Sequence, residues 1–343
     1  GAANGPYDTN AGDNITITSL GTAVQVRNPN FGQAGQPQFI PRDYGFGAQG
    51  AGSSVTIEDI AANIVSWNTN TIVVNAANSG QLVVTRDNAG VAGKSSVVGI
   101  YVTVGGAVTR VTDVPNTSGE IQDAIDAAPA GSLILVEPGT YAELVILYKN
   151  IRLQGTGAGV TNISAFKVPA EKLQTWRTQV NALDVAGSFD PLPGQTAGLD
   201  MFKNEFGPGI IVLGTANMAM NAARIDGFTI NGADQGGAIL VNGYTNNFLI
   251  GNNRIRGNEG FYGGGIRVGH PELISQAAGG EQEYVDAQND NVTIRHNHIS
   301  QNGGLNGAGG GISIHTGAID YTVRRNFIVG NFTSGDGAGI GHL

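Results

Sequence analysis

The feature that most constrains this chain is an internal repeat in its C-terminal half. Each copy has an apolar residue at both ends, and a glycine-led apolar run follows it. The four copies are Ile225–Ile230, Ile250–Ile255, Ile294–Ile299 and Val323–Ile328. The period is roughly 25 to 29 residues once one insertion is discounted. Repeats of this length stack into a solenoid, because one repeat alone cannot bury its apolar face.

Stacking of one coil on the next predicts that equivalent residues form columns. The predicted aliphatic column consists of Ile230, Ile255, Ile299 and Ile328. Two asparagine ladders are expected, one of Asn253, Asn297 and Asn326 and the other of Asn258, Asn302 and Asn331. Such ladders satisfy the hydrogen-bonding groups of buried turn backbone.

The segment ahead of the repeats predicts a helix followed by short strands. Residues Thr117–Glu120 form a capping-box pattern, Ile121 and Ile125 share one face of the predicted helix, and Pro129 ends it. The short runs that follow leave no room for crossover helices. This organisation resembles the opening of right-handed parallel β-helix proteins, the group that includes pectate lyases, pectin methylesterases, polygalacturonases and many surface adhesins.

The resemblance implies an all-β fold with a single-stranded right-handed parallel β-helix over 117–343, capped by the leading helix. Insertions are expected at about 166–207 and 271–290. Helical spacing of apolar residues in the first insertion predicts an amphipathic helix on the outside of the stack, either packed there or serving as a lid. The coils are expected to continue beyond residue 343 or to stack end to end, because an open solenoid end exposes strand edges.

Short alternating runs separated by polar turns predict a small β-sandwich over 38–106. The runs are Ser54–Ile57, Ile64–Trp67, Thr71–Val74, Gln81–Thr85 and Ile100–Val104. Together with Gly45-Phe-Gly47, the sequences of these runs resemble the IPT/TIG family of immunoglobulin-like domains. The resemblance implies a spacer or adhesion module. Trp67 is interpreted as core, with a sugar platform as the alternative. Residues 1–37 are assigned to an N-terminal extension or a preceding domain, and 107–116 to a linker.

Composition narrows the classes of partner. The net charge of −9 opposes nucleic acid and anionic membranes, which attract proteins with a dominant positive field. No apolar run is long enough to span a membrane, and the absence of cysteine excludes disulfides and thiolate metal sites. The richness in Asn, Thr and Gly favours an extracellular or cell-surface location.

Catalytic residues are not predicted. Lyases and hydrolases that act on polysaccharides need clustered carboxylates, and the aligned coils offer only Asp226 and Asp234. A stripe of arginines on neighbouring coils invites an acidic glycan or a surface carboxylate, with salt bridges to nearby acidic loops as the alternative. The stripe consists of Arg254, Arg256, Arg295, Arg324 and Arg325.

Metal binding is a further hypothesis. His270, His315 and His342 end successive glycine-led strands, so stacking could bring three imidazoles together around a transition metal. Their register differs by one residue from coil to coil, which favours solvent-facing or turn-bonding histidines as the alternative. The acidic second insertion could hold calcium, although no cofactor is required by the sequence. Its acids are Glu272, Glu281, Glu283, Asp286 and Asp290.

These patterns together predict a secreted or cell-surface structural or adhesion segment that binds a polysaccharide or another surface protein. The alternative is a polysaccharide lyase or hydrolase of the β-helix type whose catalytic residues are not evident in this chain.

Overall fold

The computed structural model describes residues 6–88, 91–115, 117–192, 195, 207–216, 218, 220–270, 274–276, 282–284, 286–305 and 309–342. The chain divides into two compact units, Gly1–Gly106 and Ala107–Leu343, and each has a hydrophobic core of its own. The described residues are mostly strand, with two helices, and several of the sheets are parallel.

The first unit holds the first eleven strands of the described chain. In chain order they are β1 (Tyr7–Asp8), β2 (Asn14–Thr18), β3 (Val24–Arg27), β4 (Phe39–Arg42), β5 (Ser54–Ile57), β6 (Ile60–Ala61), β7 (Ile64–Trp67), β8 (Thr71–Asn75), β9 (Gly80–Asn88), β10 (Val91–Ser95) and β11 (Ile100–Val104). One sheet has the order β1-β11-β9-β5-β6, with β10 paired to β9. A second has the order β2-β8-β7, and β3 pairs with β4.

Side-chain alternation builds the core of the first unit. On β5, Val55 and Ile57 are buried while Ser54 and Thr56 are half-buried, because successive side chains of a strand point to opposite faces. Both sheets contribute to one core cluster, which consists of Ile15, Val55, Ile57, Ile72, Val74, Ala76, Leu82 and Val102.

Trp67 packs against this core. Its ring lies edge-on to Phe46 with 6.0 Å between the ring centroids, and its indole N–H donates to the Gly47 carbonyl oxygen at 3.1 Å. These contacts agree with the interpretation of Trp67 as core.

The second unit holds the remaining strands and both helices. In chain order they are β12 (Val108–Val111), α1 (Glu120–Ala127), β13 (Leu133–Val136), β14 (Gly139–Tyr141), β15 (Val145–Leu147), β16 (Arg152–Gly155), β17 (Thr161–Ser164), α2 (Glu171–Val185), β18 (Ile210–Val212), β19 (Arg224–Asp226), β20 (Thr229–Asn231), β21 (Ile239–Val241), β22 (Leu249–Gly251), β23 (Arg254–Arg256), β24 (Glu259–Gly260), β25 (Ile266–Val268), β26 (Ile274–Gln276), β27 (Gln282–Tyr284), β28 (Thr293–Arg295), β29 (His298–Ser300), β30 (Gly303–Gly304), β31 (Ile312–Ile314), β32 (Thr322–Arg324), β33 (Phe327–Val329), β34 (Phe332–Thr333) and β35 (Ile340–His342).

Consecutive strands of this unit visit three parallel sheets in turn. Sheet 1 has the order β12-β13-β16-β19-β22-β28-β32, sheet 2 the order β14-β17-β20-β23-β29-β33, and sheet 3 the order β15-β18-β21-β25-β31-β35. A short fourth sheet, β24-β30-β34, follows sheet 2 in the last three circuits, and β26 and β27 form an antiparallel hairpin within the second insertion.

The strand register confirms the alignment of the repeats. Ile225, Ile250, Ile294 and Val323 are successive partners across sheet 1. The predicted column of Ile230, Ile255, Ile299 and Ile328 runs across sheet 2 in the same way. Alternate residues of each strand point inward, and the inward side chains of all three sheets pack in one core.

Both asparagine ladders are confirmed. The Asn258 side-chain amide donates to Asn302 Oδ1 at 3.0 Å, and that of Asn302 donates to Asn331 Oδ1 at 2.9 Å. Asn253 and Asn297 donate to the next member of their ladder at 3.2 and 3.0 Å. Each Oδ1 in turn accepts the backbone N–H of the preceding asparagine, so the ladders pair buried turn backbone from coil to coil.

The boundaries of the units differ from the expected domain limits. Strand β2 pairs with β8 and places Ile15 in the first core, so part of the expected extension 1–37 belongs to the first unit. The expected linker 107–116 contains β12, which pairs with β13 and buries Val111 in the second core. Burial of this apolar side chain favours a paired strand over an open linker. Residue 116 lies outside the described residues.

Helix α1 packs on the first coil, but a different residue from the predicted one caps it. Gly119 occupies the N-cap position with φ 103° and provides no side-chain hydrogen bond, while Thr117 bonds to the Glu120 carboxylate. The capping acceptor is Glu143, which lies just before β15. The capping box is therefore replaced by a cap from a neighbouring part of the coil.

Helix α2 covers the outer face of sheet 3 near its N-terminal strands. Trp176 and Val180 are buried against Ile146, Ile211 and Leu240, which occupy the outward positions of β15, β18 and β21. The predicted amphipathic helix of the first insertion is thus found on the outside of the coils, where it packs as a structural element.

Candidate functional site

The outward face of sheet 2 brings two of the predicted site arginines together. On β23, Ile255 points into the core, so Arg254 and Arg256 on either side of it point outward. Thr229 is the partner of Arg254 on the preceding strand, and Asn231 ends that strand on the same face. Arg256 is exposed, and the other three are half-buried.

An open groove of about 400 Å³ lies on this face. We call it the arginine groove, and its main lining residues are Phe166, Thr229, Asn231, Gly232, Arg254 and Arg256. The Phe166 ring is 57% exposed and forms an apolar wall. Gly232 has φ 77°, and a Cβ atom there would lie 2.5 Å from Phe166 Cδ2, so glycine is what lets the ring approach this strand end.

The two groove arginines have no ion-pair partner in the described part of the chain. Among the described residues, neither Arg254 nor Arg256 forms an ion pair, and the only side-chain hydrogen bond of Arg256 is a long one of 3.4 Å to Gln301 Oε1. Within the described part of the chain no acidic side chain neutralises these two arginines, whereas Glu272, Glu281 and the side chain of Glu283 in the acidic second insertion lie outside it. The nearby Asp234 carboxylate instead pairs with Lys167.

The polar wall of the groove is fixed by hydrogen bonds. The Asn231 side-chain amide donates to Asn162 Oδ1 at 3.0 Å, and the Thr229 hydroxyl donates to the Ala158 carbonyl oxygen. These bonds hold both side chains against sheet 2, beside the guanidinium groups. The groove therefore combines two cations, oriented polar groups and an aromatic ring, which is the usual lining of a site for a polar ligand with an apolar face.

His298 and Phe327 continue the same row of side chains. Arg254, His298 and Phe327 are successive register partners on β23, β29 and β33. The two rings stack with 5.0 Å between centroids and 25° between planes, and Phe327 is 48% exposed. Burial lowers the pKa of His298, and the positive charges of Arg254 and Arg256 lower it further.

The other three arginines of the stripe lie elsewhere. Arg295 and Arg324 are register partners on sheet 1, and Arg325 lies in the turn after β32 with φ 54°. The turn between sheets 1 and 2 separates them from Arg254 and Arg256, so the five residues form no single stripe. Arg295 is buried, whereas Arg324 is exposed and forms no ion pair among the described residues.

The three predicted histidines lie near one another along sheet 3, since the charge of His315 lowers the pKa of His270 and the charge of His342 lowers that of His315. His270 and His315 both lie edge-on to the Tyr262 ring, with 6.0 and 6.4 Å between the ring centroids. His342 is the register partner of Ile314 on the core side of sheet 3, and its Nδ1 lies 3.0 Å from the Tyr321 hydroxyl. No cluster of three or more metal-ligating side chains occurs among the described residues.

Burial governs the protonation of the two inner histidines. It lowers the pKa of His270 and of His315 to about 3, and the positive charge of Arg267 contributes to both shifts. Both rings are therefore neutral at pH 7. His315 Nε2 lies 2.9 Å from the Ser313 hydroxyl, and both residues are fully buried.

The predicted calcium loop is only partly described. Glu272 and Glu281 lie outside the described residues, as does the side chain of Glu283. Asp286 Oδ1 accepts the backbone N–H of Gln288 at 2.8 Å, which is a turn interaction.

Several groove residues differ from those that the sequence predicts. Phe166, Thr229 and Asn231 are not among the site residues predicted from the sequence. Their signal was present in the repeat alignment, because the residues that flank the aliphatic column of sheet 2 must point outward. Phe166 carried no such signal, since it approaches the groove from the first insertion.

A scan against protein-family models and searches of curated proteins and of solved structures found no match for this chain. None of the helices in the described residues has the length and apolar character that a membrane crossing requires.

Proposed function

We propose that this chain is a segment of an extracellular scaffold or adhesion protein that binds an acidic polysaccharide in the arginine groove. The observation that carries the proposal is the pair of outward arginines, Arg254 and Arg256, without ion-pair partners in the described chain. Guanidinium groups bind carboxylates through paired hydrogen bonds. Thr229 and Asn231 would bind sugar hydroxyls, and Phe166 would contact the apolar face of a sugar ring.

The proposed architecture fits such a role. For the second unit we propose a right-handed parallel β-helix, supported by the rotation of strands among three parallel sheets and by the asparagine ladders. For the first unit we propose an immunoglobulin-like sandwich of the IPT/TIG kind, supported by two largely antiparallel sheets that share one core. Rigid sheet faces of this kind suit the recognition of extended polymers.

The net charge of −9 opposes a general attraction of the protein for anions, so an acidic ligand would be attracted only locally, by the arginine groove. Binding is expected to be weak and salt-sensitive, because each exposed arginine–carboxylate contact contributes at most about 1 kcal/mol and is screened at physiological ionic strength. Polygalacturonate is a suitable acidic probe, and dextran is its neutral counterpart.

The test compares two double variants with the same change in charge. Arg254→Gln with Arg256→Gln should weaken polygalacturonate binding at low salt by up to about thirtyfold. Arg42→Gln with Arg324→Gln removes two exposed arginines outside the groove and should leave binding near the wild-type value. Isothermal titration calorimetry measures both, and dextran should not bind.

Equal losses in the two double variants would show that attraction is non-specific and would overturn the groove assignment. Prolonged incubation with the polymer should yield no new reducing or unsaturated ends. If such ends appear, the chain is a polysaccharide-cleaving enzyme, and the scaffold proposal is wrong.

A further inference from the structure

The row of outward side chains on sheet 2 extends well past the two arginines. Thr229, Arg254, His298 and Phe327 are register partners on four consecutive strands. Neighbouring strands lie about 4.8 Å apart, so the row spans about 14 Å across the sheet. This is longer than one monosaccharide unit, and a ligand that contacts both ends must therefore be an oligomer.

An exposed aromatic ring lies near each end of this row. Phe166 is 57% exposed beside β20, the strand that carries Thr229, and Phe327 is 48% exposed on β33, the last strand of sheet 2. Phe327 does not stand alone, because its ring stacks on that of His298. The pair forms a broad, pre-oriented aromatic surface with one side open, which we call the aromatic platform.

A second row of outward side chains lies beside the aromatic platform, and its middle member is small. Arg256, Ser300 and Val329 are register partners in the adjacent outward row. Ser300 has a small side chain and is only 8% exposed, so it does not rise beside His298. Within this second row a small side chain therefore lies between Arg256, which lines the groove, and Val329 beside the platform.

Charge is concentrated between the two aromatic ends. Arg254 and Arg256 face His298 from β23, and no ionisable residue faces it from β33, which consists of Phe327, Ile328 and Val329. The lowered pKa of His298 leaves this ring neutral at pH 7, where it acts as an apolar surface.

We propose that the aromatic platform is a second sugar subsite, so that the preferred ligand is an acidic oligosaccharide lying across the strands. One uronate carboxylate would contact the arginines while a later ring of the same polymer packs its apolar face on Phe327. This inference rests on the proposed function and deepens it, because it adds a length requirement and a ligand direction to the acidic class.

The test uses oligogalacturonates of increasing length. For the wild-type chain, affinity should rise from the dimer to the tetramer and then level off by the hexamer. Phe327→Ala should weaken tetramer binding about threefold to tenfold and leave dimer binding unchanged. Phe327→Trp, which keeps an aromatic surface, should restore the tetramer affinity.

Phe332→Ala is the matched control. Phe332 is 52% exposed and lies in the same coil, but on β34 rather than in the row of Phe327. Its replacement should not alter binding, and thermal melting checks that both alanine variants remain folded.

The outcomes separate the two proposals. Tetramer binding that depends on Arg254 and Arg256 but is unchanged in Phe327→Ala overturns the platform and leaves the proposed function standing. Equal losses in Phe327→Ala and Phe332→Ala also overturn it, since the effect would then belong to the coil as a whole. Failure of the wild-type chain to bind any oligomer or polymer overturns the proposed function itself.

Discussion

The carboxylate of Glu143 accepts a hydrogen bond from the backbone N–H of Ile121 at 3.0 Å, across a separation of 22 residues. Its second oxygen accepts the N–H of Gln122 at 3.1 Å. At the other end of α1, the Lys149 ammonium donates to the carbonyl oxygens of Ile125, Asp126 and Ala128. The two residues that flank β15 thus complement the opposite ends of the helix dipole and fasten α1 to the first coil.

This cap should make stability depend on pH. Burial raises the pKa of Glu143 from 4.5 to about 7, against the opposing effect of its backbone hydrogen bonds. Between these pH values the folded chain holds this proton and the unfolded chain does not, so stability falls as pH rises from 4.5 to 7. The expected contribution is up to about 3 kcal/mol.

Glu143→Gln removes this titration. The melting temperature of the variant, measured relative to wild type from pH 4.5 to 7.5, should therefore approach the wild-type value as pH rises. Glu171→Gln, an exposed change in α2, should follow the wild-type profile at every pH. A constant difference between Glu143→Gln and wild type would show that Glu143 keeps the same pKa in the folded and unfolded chain.

The buried histidines should have the opposite effect at lower pH. Their folded pKa values of about 3 lie below the ordinary value of 6.5, so the unfolded chain binds more protons in this window. Stability is therefore lost as pH falls from 6.5 towards 3, by about 1.4 kcal/mol per pH unit for each histidine. His315→Gln should flatten the acid loss seen in thermal melts, whereas His342→Gln at an exposed site should not.

The aliphatic column provides a test of register. Ile299 is fully buried at the centre of the column on sheet 2, so Ile299→Asp places an unpaired carboxylate in the core at a cost of several kcal/mol. Ile319→Asp is the matched control, since Ile319 is 52% exposed in the same unit. Urea denaturation should show a large loss for the first variant only, and similar midpoints for both would refute the described register.

The asparagine ladder should matter more than an asparagine on the surface. Asn302 is fully buried, and its amide donates to Asn331 Oδ1 and to the Ile255 carbonyl oxygen. Asn302→Ala leaves buried backbone groups without partners, at about 1 to 3 kcal/mol each. Asn70→Ala, at an exposed turn of the first unit, should change the unfolding free energy by less than about 0.5 kcal/mol. A mild effect of Asn302→Ala would mean that water replaces the ladder bonds.

Strand β12 makes the unit boundary testable. Val111 is 5% exposed, and its carbonyl oxygen accepts hydrogen bonds from the Glu137 N–H and the Tyr141 hydroxyl. A fragment of residues 107–343 should therefore melt at a higher temperature than one of 117–343, which lacks β12 and exposes the edge of β13. Identical melting curves for the two fragments would show that β12 adds no stability and that residues 107–116 act as a linker.

The sequence by itself determined which residues stack in the second unit. Its repeat places like residues at like positions, so Ile255 on Ile299 and Asn258 on Asn302 follow from the period alone. The strands of the first unit also follow from the sequence, because the alternation of side chains along a strand is a local pattern. The sequence also predicts α2, whose apolar spacing is equally local.

Only the tertiary structure decided which side chains share a face. The five predicted arginines lie on different sheets, with Arg254 on sheet 2 and Arg295 on sheet 1. A two-residue turn between these sheets changes the direction of the chain, and the order of residues along the sequence does not reveal that change. The cap of α1 by Glu143 and the approach of Phe166 to Gly232 join segments that are distant in sequence. Such contacts depend on how coils and insertions pack, whereas the repeat specifies only how each coil matches the next.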